Sequence, residues 1–257
     1  MILVLGGTTE GRELADLLKQ QGYQCILSVA GPLGRDFASD YQDLISGELN
    51  HWQLAKLVDE NGIKIILDAT HPYAQQITLI AQLVAEEKSL SYLRYQRPTA
   101  APLEGPNLFR AADYGQGLEI IEQSTGGVFL TIGVRKLHFF RSLWAEQQRR
   151  VWVKVLPVPE SINHCLNQGL RSDQIFAFHG TGSKELVSAI LQQTGAEWLV
   201  TKESGSTGGT DVKVNAAFDL GRRVLLIDRP PIQADLIFDN YQAILDWLAK
   251  TSVTLHA

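Results

Sequence analysis

The chain has 257 residues, 45% of them hydrophobic and 20% charged, a composition that excludes a disordered chain and suits one large or two small globular domains. Its formal net charge of -5 gives no general attraction to nucleic acid or to an anionic membrane, so an anionic ligand has to be met by a local cluster of bases. Cys25 and Cys165 are the only cysteines and lie most of the chain apart, which suggests neither a disulfide framework nor a thiolate metal site, and no run reaches the ~18 apolar residues of a membrane helix.

Met1 leads straight into Ile2-Leu3-Val4-Leu5, with no basic segment or cleavage site, so the chain opens on a core strand and a cytoplasmic location is expected. Strands are predicted near 1–6, 24–29, 64–69 and 90–94. Leu14, Leu17 and Leu18 repeat at helical spacing between the first two, and Gly22 is a natural stop. The stretch Arg97-Pro98-Thr99-Ala100-Ala101-Pro102-Leu103-Glu104-Gly105-Pro106 cannot be regular helix and places a domain boundary near residue 100, dividing the chain into 1–100 and 101–257. Beyond it, strands are predicted near 108–112, 128–132, 151–156, 174–179, 197–202 and 223–228. Leu186, Val187, Ile190 and Leu191 mark a helix before Gly195, and Tyr241 to Lys250 reads as a closing helix that could pack on either domain. Strands alternating with amphipathic helices make this an α/β protein with largely parallel sheets.

Strand 1 runs into Gly6-Gly7-Thr8-Thr9-Glu10-Gly11-Arg12 and then a helix, the setting in which backbone N–H groups and the helix dipole face one anion. Against G-x-G-x-x-G the positions are Gly6, Thr8 and Gly11, so the fingerprint is only partly met; the alternative is a tight turn with a small-residue contact at Gly11. If the turn holds a pyrophosphate, Gly11→Val blocks it and leaves the fold intact. The second strand carries no carboxylate near its end, and Ser28 and Arg35 would welcome a 2′-phosphate, so NADP is favoured over NAD.

Asp68-Ala69-Thr70-His71-Pro72-Tyr73-Ala74 follows the third predicted strand, at the end where open α/β sheets bind ligands. A lone histidine is usually structural; as a ligand contact, His71 is expected with Thr70 beside the cofactor. The His71 imidazole could bond cofactor or substrate, or supply a proton, and Asp68 could cap the next helix or tie down the loop.

These two blocks, with Leu93-Arg94-Tyr95-Gln96-Arg97-Pro98 and Thr201-Lys202-Glu203-Ser204-Gly205-Ser206-Thr207-Gly208-Gly209, resemble the precorrin-6A reductase family in order and spacing over essentially the whole chain. The resemblance implies two Rossmann-like domains with a ligand cleft between them, and hydride transfer from NADPH to one double bond of precorrin-6A or cobalt-precorrin-6A, without metal or flavin. The substrate it implies is an anionic tetrapyrrole fringed with acetate and propionate groups, which requires bases and N–H donors. Lys202, with Ser204, Gly205, Gly208 and Gly209, ends an apolar strand in a turn of anion-binding composition, and Lys213 follows on the next helix. Arg94 and Arg97, and Arg135 and Lys136, stand beyond other strands and complete the expected substrate contacts. His71 or Lys202 would supply the proton that matches the hydride. The turn His179-Gly180-Thr181-Gly182-Ser183 departs from the family by lacking Gly-Pro-Phe. Rival readings are a reductase of another polyanion and a non-enzymatic NADP sensor.

Overall fold

A computed structural model describes residues 1–30, 41, 43–99, 103–145 and 149–255. Two units make up the chain, Met1–Arg97 with Pro231–Ala257, and Pro98–Pro230. The first opens with β1 (Ile2–Leu5), α1 (Thr9–Gln20), β2 (Cys25–Val29), β3 (Leu44–Ser46), α2 (His51–Asn61), β4 (Ile65–Asp68), α3 (Gln75–Glu87) and β5 (Ser91–Tyr95). The second holds β6 (Leu108–Ala111), α4 (Tyr114–Glu122), β7 (Val128–Leu130), α5 (Ser142–Ala145), β8 (Val151–Val155), α6 (Pro159–Asn167), β9 (Ile175–Ala177), α7 (Lys184–Thr194), β10 (Trp198–Lys202), α8 (Thr210–Asp219) and β11 (Arg223–Ile227). The chain then returns to the first unit with β12 (Ile237–Phe238) and α9 (Tyr241–Leu255).

Each unit is a six-stranded parallel sheet. In the first, the order is β12-β5-β4-β1-β2-β3. Strand β1 is apolar on both faces because both are covered, as a parallel sheet requires. Ile2 and Val4 pack with Leu14 and Leu18 of α1 and with Ile244 and Leu248 of α9, whereas Leu3 and Leu5 pack with Leu54 and Val58 of α2 and Ala81 and Val84 of α3. Local chemistry sets the helix ends. Asn50 and Gln53 form a reciprocal capping box at the start of α2, and Gly62, at φ +61°, stops it in the left-handed conformation that glycine accepts without strain.

The expected second domain of 101–257 therefore loses its last stretch: it ends at Pro230. The reason is pairing and burial. β12 adds to the free edge of β5, with Ile237 opposite Arg94 and Phe238 opposite Tyr95, and α9 seats Ile244 and Leu248 in the first core. Leu248→Ala is expected to cost about 2–4 kcal/mol of stability, read as a lower urea midpoint.

In the second unit the order is β6-β11-β10-β7-β8-β9. Phe129, Leu199 and Val224 pack against Val187, Ile190 and Leu191 of α7 and Val214 and Ala217 of α8. In both sheets the chain reverses its direction of winding beside one strand, between β1 and β4 in the first unit and between β7 and β10 in the second. Crevices at the carboxyl ends of such strands are where open α/β sheets bind ligands.

Candidate functional site

At the first switch point, Gly6 N–H donates to Ser28 O at 2.8 Å and prolongs the sheet by one residue. Thr8 then caps α1: its hydroxyl accepts from Gly11 N–H at 3.1 Å and donates to Ala69 O at 3.0 Å, which ties the turn after β1 to the loop after β4. The Thr8 hydroxyl is thus committed to the fold, and Thr9 is exposed at the first position of the helix.

The three glycines of this turn do different work. A Cβ on Gly11 would lie 2.7 Å from Gly6 Cα, and one on Gly6 would lie 2.7 Å from Leu27 Cδ1, so both allow α1 to sit close on the sheet. Gly7, at φ +95°, would meet no atom of the described residues within 4 Å, leaving its face open to a ligand's approach among them. This corrects the expectation that Gly11→Val leaves the fold intact, because the added carbons would strike backbone.

Glu10 lies in the first turn of α1, where the dipole favours an acid, and its carboxylate is held by Arg97 at 2.8 Å with both side chains buried. Its other oxygen, Oε1, is buried with no hydrogen-bond partner among the described residues. Glu10 and Arg97 line one recess with Ala69, Thr70, Pro72, Arg94 and Tyr95.

Beneath the loop after β4 lies a largely buried polar knot. Asp68 Oδ1 accepts from Thr70 N–H at 2.9 Å and Thr70 Oγ1 at 2.7 Å and pairs with Arg94 at 2.6 Å, while Oδ2 accepts from Thr78 at 2.7 Å and Tyr92 at 2.8 Å. Arg94 also donates to Thr70 Oγ1 at 3.0 Å and Thr70 O at 2.9 Å. The Arg94 side chain is only 1% exposed, so it braces the loop instead of projecting from it. Above the knot, Tyr73 N–H donates to His71 Nδ1 at 3.3 Å, which puts the proton of the neutral ring on Nε2. Ser28 is buried at the end of β2, Arg12 is half-buried with its carbonyl accepting from Tyr41 at 3.3 Å, and Arg35 lies outside the described residues.

At the second switch point, Lys202 ends β10 and the following turn closes on itself. Ser204 N–H donates to Thr210 Oγ1 at 2.9 Å, Thr210 Oγ1 donates to Lys202 O at 3.0 Å, and Gly205 N–H donates to Glu203 Oε1 at 2.8 Å. Gly208 and Gly209 donate their N–H groups to Gly205 O and Ser206 O. Gly208 has no room for a side chain, since a Cβ would lie 2.3 Å from that of Ser204, and Gly209 sits at φ +62° against Thr181. The N–H groups of Ser204, Gly205, Gly208 and Gly209 therefore shape the turn. Buried Arg229 pairs with Glu203 at 3.5 Å and donates to Glu203 O at 3.1 Å and to Pro98 O at 3.0 Å.

Burial, with Lys136 and Lys154 nearby, lowers the Lys202 ammonium to about 8. Burial and the charges of Lys202 and Lys154 lower Lys213 to about 7, against the opposing pull of Asp211 and Glu203. Lys136 lies in a 3-10 turn, Val134–Phe140, with its ammonium over the rings of Tyr114 and Phe139 at 5.7 and 5.8 Å, and Arg135 beside it is exposed. Lys154 was not singled out by sequence: in Val-Trp-Val-Lys-Val it reads as the solvent-facing residue of an alternating strand. Glu203 and Arg229 were missed as a pair because 26 residues separate them. Among the described residues no group of side chains is arranged to hold a metal, and no helix is long and apolar enough to cross a membrane.

Comparison with known proteins bears on the whole chain. The family described as Precorrin-6x reductase CbiJ/CobK matches residues 1–249. The cobalt-precorrin-6A reductases of Priestia megaterium and Salmonella typhimurium are 30% and 31% identical, each over 97% of this chain and over 98% and 95% of their own. The precorrin-6A reductase of Rhodococcus erythropolis is 32% identical over 96% of both chains. A solved structure, CobK precorrin-6A reductase, superposes with a TM-score of 0.79 at 25% identity, covering 97% of this chain and 96% of its own. With two Rossmann-like sheets, a glycine turn at the switch point of one and lysines at that of the other, the chain belongs to the precorrin-6x reductase family.

Proposed function

We propose that the chain reduces one double bond of precorrin-6A or cobalt-precorrin-6A to the 6B form, with NADPH as the reductant. The observation that carries the choice of cofactor is the β1–α1 turn, which presents the open face of Gly7 at the switch point and has Ser28, not a carboxylate, at the end of β2. When bound there, NADPH supplies the hydride, and one proton must accompany it for the double bond to be reduced.

The chain's own residues bind, orient and supply that proton. The N-terminus of α1 and the backbone of Gly7 to Glu10 receive the pyrophosphate, while Ser28 and Arg35 take the 2′-phosphate. Asp68 and Arg94 keep the Thr70–His71 loop in one conformation, so that the His71 Nε2 proton has a fixed direction. Lys202 and Lys136, with Arg135, attract the carboxylates of the macrocycle. Lys202 and His71 are the two candidate proton sources, and the Lys202 ammonium, lowered to about 8 by burial and by Lys136 and Lys154, can give up a proton near neutral pH.

Fluorescence titration with NADPH and NADH tests this assignment. The wild-type protein is expected to bind NADPH about 10–100-fold more tightly, the worth of charge-assisted bonds to one phosphate. Arg35→Asp is expected to remove most of that difference. Equal affinities in the wild type would overturn the NADPH assignment, and an unchanged ratio in the variant would take Arg35 out of the site.

A further inference from the structure

Four lysines converge on the carboxyl ends of β7, β8 and β10. The Lys202 ammonium lies 3.9 Å from where a Cβ on Gly133 would stand, against the turn that leads into Lys136. Lys154, on β8, donates to Gly180 O at 2.7 Å, and Lys213, in the first turn of α8, donates to Gly208 O at 3.1 Å. Those carbonyls belong to loops that touch: a Cβ on Gly209 would lie 2.6 Å from that of Thr181.

Carbonyls are weak partners for ammonium groups crowded together. Among the described residues no carboxylate stands within ion-pair distance of Lys136, Lys154 or Lys213. The acids that act on Lys213 are Asp211 and Glu203, and Glu203 is already engaged by Arg229 and by Gly205 N–H. Like charges withdrawn from water stay charged only if an anion joins them, and otherwise lose protons.

We propose that Lys154 and Lys213 join Lys202 and Lys136 in one site that takes two or more carboxylates of the substrate's rim and draws protons from solvent as it does so. This rests on the reductase reading, which supplies the polycarboxylate. Lys202, lowered to about 8 by burial and by Lys136 and Lys154, and Lys213, lowered to about 7 by burial and by Lys202 and Lys154, are partly neutral in slightly alkaline solution. A bound carboxylate favours the charged form and raises both groups towards the ordinary lysine value, so protons are taken up on binding in the window between the two states. Below about pH 6 both lysines are charged before and after binding, and the uptake vanishes. Affinity accordingly falls as pH rises through the same window.

The test is calorimetric titration of precorrin-6A into the wild-type protein without nicotinamide, in buffers of different ionisation enthalpy. At about pH 8 the expected uptake is about one proton or more for each macrocycle, and at about pH 6 close to none. Lys213→Met is expected to reduce the uptake, and Lys154→Gln to raise KM about 10–100-fold with kcat within a few-fold, a split that loss of packing alone would not give. Binding at about pH 8 without proton uptake, in a protein that still turns over, overturns the lysine site and leaves the reductase reading standing. Absence of both binding and turnover overturns the reading itself, and the site with it.

Discussion

Asp68→Ala is expected to cost the protein about 3–5 kcal/mol, because it leaves the guanidinium of Arg94 buried without its counter-charge. The same change strips the acceptor from Thr70, Thr78 and Tyr92, three hydroxyls that Asp68 alone gathers from one loop, one helix and one strand. Stability and function are coupled here, since the knot sets the conformation of the loop that carries His71. A drop in urea midpoint should therefore come with weaker NADPH binding. The double variant Asp68→Ala with Arg94→Met is expected to recover part of the loss, as removing a whole buried pair costs less than orphaning one partner. A single variant as stable as wild type would show that the knot does not hold the unit together.

Gly11→Val should damage the fold and the cofactor site together. Its Cβ would stand 2.7 Å from Gly6 Cα, which is backbone and cannot rotate away, so α1 must lift from the sheet. Overpacking of this kind costs about 1–3 kcal/mol, and the displaced helix carries away the N–H groups that would receive the pyrophosphate. Gly7→Ala is the contrasting case. It meets no atom of the described residues within 4 Å but must hold φ at +95°, so its effect on melting temperature should be the smaller and its effect on NADPH affinity comparable. Unchanged melting temperature in Gly11→Val would refute the close helix-to-sheet contact.

The architecture was legible because parallel strands buried on both faces read as apolar runs. Ile2-Leu3-Val4-Leu5 and Trp198-Leu199-Val200-Thr201 announce themselves in this way, and the glycine and threonine turns after β1 and β10 follow directly. Edge strands do not. β3 is half-buried and three residues long, and β12 has two residues, so neither carries a pattern, and with β12 went the allegiance of α9.

At the sites, residue types were legible but their partners were not. Arg94 and Arg97 look alike in sequence, two bases beyond a strand, yet both are held by acids from elsewhere in the first unit, Asp68 and Glu10. Pairings of this kind span 26 and 87 residues, and no local pattern records them. The glycines were identified as necessary, but only packing distinguishes Gly11, which lets backbones touch, from Gly7, which leaves space. Lys154 shows the converse: an ordinary strand position becomes part of a charged cluster because of what lies on neighbouring strands.

The most direct measurement is oxidation of NADPH, followed at its nicotinamide absorbance, with the purified protein and either precorrin-6A or cobalt-precorrin-6A, and with NADH as the control. Turnover with NADPH, much slower with NADH and dependent on the macrocycle, is the expected result, and the faster of the two macrocycles identifies the natural one. Failure of both macrocycles to elicit oxidation from a folded protein that binds NADPH would contradict the assignment.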